Sequence, residues 1–213
     1  MFTGIIEEVG IVKRIENIKK SLEITIEAEK ILEDVKIGDS IAVNGICLTV
    51  TRFNKHSFSV CAVYETLLKS SMSGLRLGQK VNVERAMSSN GRFGGHIIYG
   101  HVDGTGKVTE IREYGNEILM RISAECRLMR YIVEKGAVAI DGISLTIAEI
   151  YNDNFTVSVI PHTMENTILK YKSVNSVVNI ENDYICKCIE KFLPGYNQGG
   201  CRITQEWLEK YGY

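Results

Sequence analysis

The sequence predicts an all-β chain of two tandem, similar, small antiparallel barrels followed by a helical C-terminal segment. Internal repetition is the first reason. Residues 39–84 lie over residues 136–181 at a constant offset of 97 with no gap, so that Ala42 to Val50 falls on Ala139 to Ile147. At an offset of 96, Gly4, Gly10 and Val12 meet Gly100, Gly106 and Val108. A unit of this length is too long for a solenoid repeat and suits a small domain. The second reason is period-two alternation of apolar residues, the mark of half-buried strands. The third is turn chemistry: 19 glycines against two prolines in 213 residues means turns built on Gly, Asn and Asp, as many short, tightly joined strands require.

In chain order, Leu22, Ile24 and Ile26 alternate with polar residues, as do Phe58, Val60 and Ala62, then Val81 and Val83. The second copy repeats this with Phe155, Val157 and Val159, then Val178 and Ile180. Asn44-Gly45 and Asp141-Gly142 each turn the chain into a further strand. Closure hides edge strands, which favours a barrel over a sandwich. Short helices are predicted at Glu29 to Val35, Glu65 to Ser71 and Arg127 to Glu134. Ser88 to Gly95, rich in small residues, reads as a linker. The domains are therefore 1–88, 97–183 and a C-terminal segment 184–213. That segment has no counterpart in the repeat. It carries Ile185, Ile189 and Phe192 at helical spacing, with a second helix expected from Thr204 to Tyr211.

Composition excludes several functions. With 25 basic against 26 acidic residues and no basic cluster, nucleic acid is not an expected partner. No apolar run reaches the ~18 residues of a membrane span, and the first residues lack a leader pattern, so a cytoplasmic protein without membrane association is expected. Six cysteines without C-x-x-C pairs or zinc-type spacing read as reduced thiols, and no metal site is expected.

Chemistry concentrates after the two matched turns. Cys47 and Thr49 lie two apart, hence on one face of a strand, and Ser144 and Thr146 repeat the arrangement. Threonine is common in strands and cysteine is a small hydrophobe, but two such pairs at equivalent places favour a binding surface. His96 and His101 stand in a glycine-rich stretch; five apart in a strand, they would face opposite ways and not share a metal. Histidine side chains can gain or lose a proton near neutrality, which makes His101 a candidate proton carrier. Asp183 stands where the first copy has Ala86, an asymmetry that suits a special role or a helix cap.

The segments Met1 to Gly10, Val43 to Val50, Gly94 to Gly104, Ile140 to Thr146 and Ile160 to Thr163 together resemble the riboflavin synthase family, alpha chain, from residue 1 to about 190. The resemblance implies two six-stranded Greek-key barrels and a C-terminal helix through which three chains associate. It implies dismutation of two 6,7-dimethyl-8-ribityllumazine molecules, with four-carbon transfer, to riboflavin and 5-amino-6-(ribitylamino)uracil. No cofactor or metal is needed, and an association with lumazine synthase is left open. It places a complete active site between chains, the N-terminal barrel of one facing the C-terminal barrel of its neighbour.

By resemblance, one lumazine is held by Gly4, Ile5, Ile6, Lys135, Ser144, Leu145, Thr146 and the strand Ser158, Val159, Ile160, Pro161, His162, Thr163. The other is held by Ser40, Cys47, Leu48, Thr49 and the strand Cys61, Ala62, Val63, Tyr64, Glu65, Thr66, with Gly100, His101 and Val102 from the neighbour. Phe2 would cover the stacked pair, and Ser144 and Asp183 would activate a nucleophile or water. Phe2, Cys47, His101, Ser144 and Asp183 form the implied catalytic set. Cys61 departs from the acidic residue usual there, and Cys186 and Cys188 depart from the usual helix sequence. Two other readings compete: a non-catalytic lumazine or flavin binder, and an oligonucleotide-binding barrel, which the near-zero charge disfavours.

Overall fold

The computed structural model describes residues 1–192. Twelve strands form two closed barrels. The first comprises β1 (Glu8–Ile18), β2 (Ser21–Glu27), β3 (Ser40–Val43), β4 (Ile46–Phe53), β5 (Ser57–Ala62) and β6 (Lys80–Arg85). Its order around the barrel is β1-β2-β5-β4-β3-β6. The second comprises β7 (Gly104–Tyr114), β8 (Glu117–Ala124), β9 (Ala137–Ile140), β10 (Ile143–Ile150), β11 (Asn154–Val159) and β12 (Val177–Asn182), in the same cyclic order. All pairings are antiparallel, and β2 and β5 lie side by side although β3 and β4 separate them in sequence. The bulge between Val12 and Arg14 in the β1–β2 hairpin recurs between Val108 and Glu110. The one between Val50 and Arg52 recurs between Ile147 and Glu149. Bulges sharpen the bend that lets so few strands close.

The alternation read from the sequence is the core. Ile24, Ile26, Phe58, Val60, Val81 and Val83 point inward with no exposed surface, as do Phe155, Val157, Val178 and Ile180 in the second barrel. Each such side chain contributes about 1.5–3 kcal/mol relative to exposure.

Residues 1–183 form one compact unit, and the segment from Tyr184 a second, so the two barrels are halves of a single body. They meet across an approximate internal two-fold. Asn44-Gly45 and Asp141-Gly142 are hairpin turns with positive φ at all four residues (47°, 77°, 45° and 82°), which Asn-Gly and Asp-Gly tolerate. The two glycines face each other so closely that a Cβ on Gly45 would stand 2.6 Å from the Gly142 nitrogen. Buried Asn82 donates from Nδ2 to the Asp141 carbonyl at 3.0 Å, and buried Asn179 donates to the Asn44 carbonyl at 2.9 Å. One difference breaks the symmetry. Fully buried Asp141 meets the Lys172 ammonium at 2.7 Å, whereas the matching positions in the first barrel hold Asn44 and Leu75.

The predicted helices are shorter than expected or displaced. Glu29 to Val35 supplies only a 3-10 turn at Lys30–Glu33. Arg127 to Glu134 supplies the one-turn α2 (Cys126–Met129), which buries Leu128. Beyond it, Lys135 has φ +62°, a left-handed conformation no helix continues through. Glu65 to Ser71 becomes α1 (Tyr64–Lys69), ended where the Ser70 hydroxyl accepts from the Met72 N–H and starts a separate 3-10 turn. Its counterpart is α3 (Pro161–Asn166), with proline in the first turn. Residues 61–66 and 158–163 are therefore half strand and half helix, not strands throughout. The stretch holding His96 and His101 is not a strand either; it makes one isolated bridge, at Ile98. The last described element, α4 (Tyr184–Phe192), exposes Ile185, Ile189 and Phe192 at the predicted spacing. The helix expected at 204–211 lies outside the described residues.

Candidate active site

Two short arms build the site. The first, residues 2–5, leads into β1; the second, residues 98–102, leads into β7. They pair with each other, Phe2 N–H donating to the Ile98 carbonyl at 2.7 Å and Ile98 N–H returning to Phe2 at 3.1 Å. Each arm then crosses to the other barrel. The Gly4 carbonyl accepts from the Ser144 N–H at 3.0 Å, and the Gly100 carbonyl accepts from the Cys47 N–H at 2.9 Å. Both glycines have φ +78°, and an added Cβ would come within 2.6 Å of Ser144 or 2.5 Å of Cys47. Backbone conformation and approach both demand glycine.

In the first barrel, Cys47, Ile46, Val63, Thr66, Gly100 and His101 line a cavity of about 270 Å³, a size for one small ligand. Cys47 is half-buried, as is Cys61, while His101 is exposed and stacks 6.1 Å from the Tyr99 ring. Gly100, His101 and Val102 were expected from a neighbouring chain; the same chain supplies them, because its own second arm crosses onto Cys47. Glu65 lies on the rim, held below the usual carboxylate range by its hydrogen bond to Lys69 at 2.8 Å. Thr49 is exposed on the same strand face as Cys47, paired with Ser40 on β3, and buried Leu48 and Ala62 belong to the barrel core. Val63 and Tyr64 are exposed at the start of α1.

In the second barrel, Ser144 occupies the place of Cys47. Its hydroxyl lies 2.7 Å from His96 Nδ1, a contact the sequence reading missed. Gly95 allows it, since a Cβ there would stand 2.1 Å from the Thr3 carbonyl and 2.8 Å from the Ser144 Cβ. Burial pushes His96 below the usual histidine range, and the Asp183 carboxylate pulls partly the other way. Ser144, His96 and half-buried Asp183 thus form one electrostatic group, with no equivalent at Cys47. Around it, Thr146 is exposed and registered with Ser158, whose hydroxyl bonds to Glu117. Leu145 and Val159 are core. Ile5 is exposed and Ile6 packs on the second barrel, both as arm residues would. Lys135 is exposed at its turn; Ile160, Pro161 and His162 are exposed, and Thr163 half-buried, around the start of α3.

Phe2 does not lie where a cover for stacked ligands was expected. Its ring is 1% exposed, packed with Ala42, Ile98 and Ala139 in the seam, because the Phe2–Ile98 bridge draws it inward. Among the described residues no cluster of three or more metal-ligating side chains exists. A larger cavity, about 510 Å³, opens elsewhere on the seam beside Lys80, Tyr171 and Lys172, and holds none of the predicted residues.

The family model described as Lumazine binding domain matches twice, at residues 3–86 and 99–183. Riboflavin synthase of Actinobacillus pleuropneumoniae is 51% identical over the whole of both chains, and that of Bacillus subtilis 46%, again over the whole of both. The chain belongs to the riboflavin synthase family. A crystal structure of LumP complexed with riboflavin superposes with TM-score 0.79 at 27% identity, covering 85% of this chain and 99% of that one. LumP complexed with 6,7-dimethyl-8-(1'-D-ribityl) lumazine gives 0.77 at 26%, with the same coverages. The two family-model matches begin in the crossed arms, so the arms belong to the ligand-binding unit of riboflavin synthases and are not linkers.

Proposed function

We propose that the chain is a riboflavin synthase that dismutates two molecules of 6,7-dimethyl-8-ribityllumazine. Four carbons pass from one molecule to the other, giving riboflavin and 5-amino-6-(ribitylamino)uracil. The sum balances without oxidant, reductant or added atoms, so the protein's task is to hold and orient two identical heterocycles and move protons between them. The observation that carries the reading is the matched pair of sites, each a small hydrogen-bonding residue beside a crossed arm, in a chain of this family. Pre-positioning two reactants can remove up to about 7–11 kcal/mol of barrier.

The two sites differ as the two halves of the reaction differ. One lumazine must lose a proton from its 7-methyl group; the other must gain a nucleophile at C7. Ser144, with His96 as proton acceptor and Asp183 opposing the desolvation of that imidazole, suits the second task. Cys47, Thr66 and His101 line the cavity for the partner molecule, His101 carrying the methyl proton. The cavity of about 270 Å³ beside Cys47 is read as the place of one lumazine, with the second facing it from the Ser144 site of a neighbouring chain. Exposed Ile185, Ile189 and Phe192 on α4 offer an apolar stripe for assembling a homotrimer. Five cysteines are free among the described residues, in keeping with a reducing cytoplasm, and no described helix is long and apolar enough to cross a membrane. Docking with lumazine synthase would pass the substrate on directly; co-sedimentation of the two proteins checks it.

Incubation with dimethylribityllumazine alone should generate riboflavin fluorescence with multiple turnovers. The ligand-bound LumP structures favour one other reading, a non-catalytic lumazine or flavin carrier. Stoichiometric binding without turnover would establish the carrier and refute the enzyme.

A further inference from the structure

We infer that two buried carboxylates, Glu84 and Glu181, neither of which lines the Cys47 cavity, are positioning residues acting crosswise: each belongs to one barrel and sets the ligand site of the other. Glu84 ends the first barrel on β6 and is 4% exposed. It accepts from the Thr3 N–H at 2.7 Å, the Thr3 hydroxyl at 3.0 Å and the Gly4 N–H at 3.1 Å. The next group along that arm, the Gly4 carbonyl, is the one that accepts from Ser144 in the second barrel. Glu181, on β12 of the second barrel and 5% exposed, accepts from the Tyr99 N–H at 2.7 Å and the Gly100 N–H at 3.0 Å. The Gly100 carbonyl accepts from Cys47 in the first barrel.

Each carboxylate thus fixes two consecutive backbone donors, and the carbonyl beyond them aims a strand residue whose side chain faces ligand. Charge-assisted bonds of this kind are short and about twice as strong as neutral ones, so they fix the arm's register where it crosses to the other barrel. An amide in place of the carboxylate keeps the shape, but it offers one acceptor oxygen where two donors need it and turns an NH₂ towards an N–H. The arm should loosen without loss of the barrel.

This inference rests on the reading of the Cys47 cavity as a lumazine and flavin site. The test uses the full-length protein and riboflavin as probe, following alkylation of the Cys47 thiol by iodoacetamide with peptide mass spectrometry. In the unsubstituted protein riboflavin should protect Cys47; no protection would refute the location of the site and the inference with it. Glu181→Gln, a change in the second barrel, should raise the riboflavin concentration needed for protection by about tenfold, the scale of one lost hydrogen bond to a charged group. Glu84→Gln, a change in the first barrel, should leave protection within about twofold while turnover falls. Should either variant fail to fold by circular dichroism, Gly100→Ala and Gly4→Ala displace the same arms directly and should give the same crossed pattern. Protection lost in Glu84→Gln and kept in Glu181→Gln, or lost equally in both folded variants, would overturn crosswise action while leaving the site itself standing.

Discussion

In the proposed reaction the chemistry turns on the contact between Ser144 and His96. Ser144→Ala should lower kcat by about 10²–10⁴-fold, the range for a positioned proton-transfer group, with little change in riboflavin binding. Equal losses in both would reduce Ser144 to ligand positioning. Burial disfavours the imidazolium of His96, so its folded pKa lies below the ordinary ~6.5. Two consequences follow from that sign. The rate should fall on acidification with an apparent pKa below ~6.5, and His96→Asn should abolish that limb of the pH–rate profile. Because the unfolded chain binds the proton more readily, this residue's contribution to stability is present above ~6.5 and is lost as pH falls towards the folded value. His96 was hard to pick out of the sequence because 48 residues separate it from Ser144 and the matched segments of the repeat begin at Gly4 and Gly100, beyond it. The equivalence of Cys47 and Ser144 was legible, since both follow equivalent turns, and Asp183 marked a place where the two copies differ.

At the scale of elements, the turn-to-turn seam is the least forgiving part of the fold. Gly45→Ala would force a Cβ to 2.6 Å from the Gly142 backbone at φ +77°, and should cost about 2 kcal/mol or more, read as a lower urea midpoint. The Asp141–Lys172 pair gives a sharper experiment, because the first barrel contains its uncharged counterpart. Lys172→Leu alone leaves a carboxylate buried without its partner and should destabilise by about 3–5 kcal/mol. Adding Asp141→Asn, which copies Asn44 and Leu75, should recover most of that loss in a double-mutant cycle. Strands were readable because Ile24, Ile26, Phe58 and Val60 alternate on a two-residue period that burial alone explains. Short helices were not: Leu128 and Ile132 are both buried at helical spacing, yet the chain leaves the helix after one turn to reach β9. The helix α3 escaped, although α1 at the equivalent place was foreseen from Glu65, since it starts after Ile160, which has no capping side chain.

Residues 1–183 are one module used twice and closed on itself by crossed arms. Duplication was plain in the sequence, but the crossing was not, because a glycine-rich arm carries no periodicity to show which barrel it lies against. In this chain the second arm, with Gly100 to Val102, reaches its own Cys47. Removal of the chain from Tyr184 onward should leave the compact 1–183 unit folded but monomeric and inactive, checked by sedimentation and turnover. A fully active monomer would refute a site completed between chains. If one turnover consumes one lumazine in each kind of barrel, product stoichiometry and the loss of either site will both report it. Supplied with dimethylribityllumazine alone, the protein should form one riboflavin and one 5-amino-6-(ribitylamino)uracil for every two molecules consumed. Gly4→Ala and Gly100→Ala, which block the Ser144 and Cys47 sites separately, should each abolish turnover. Sustained riboflavin formation by a chain with either site blocked, or one product without the other, would contradict the account.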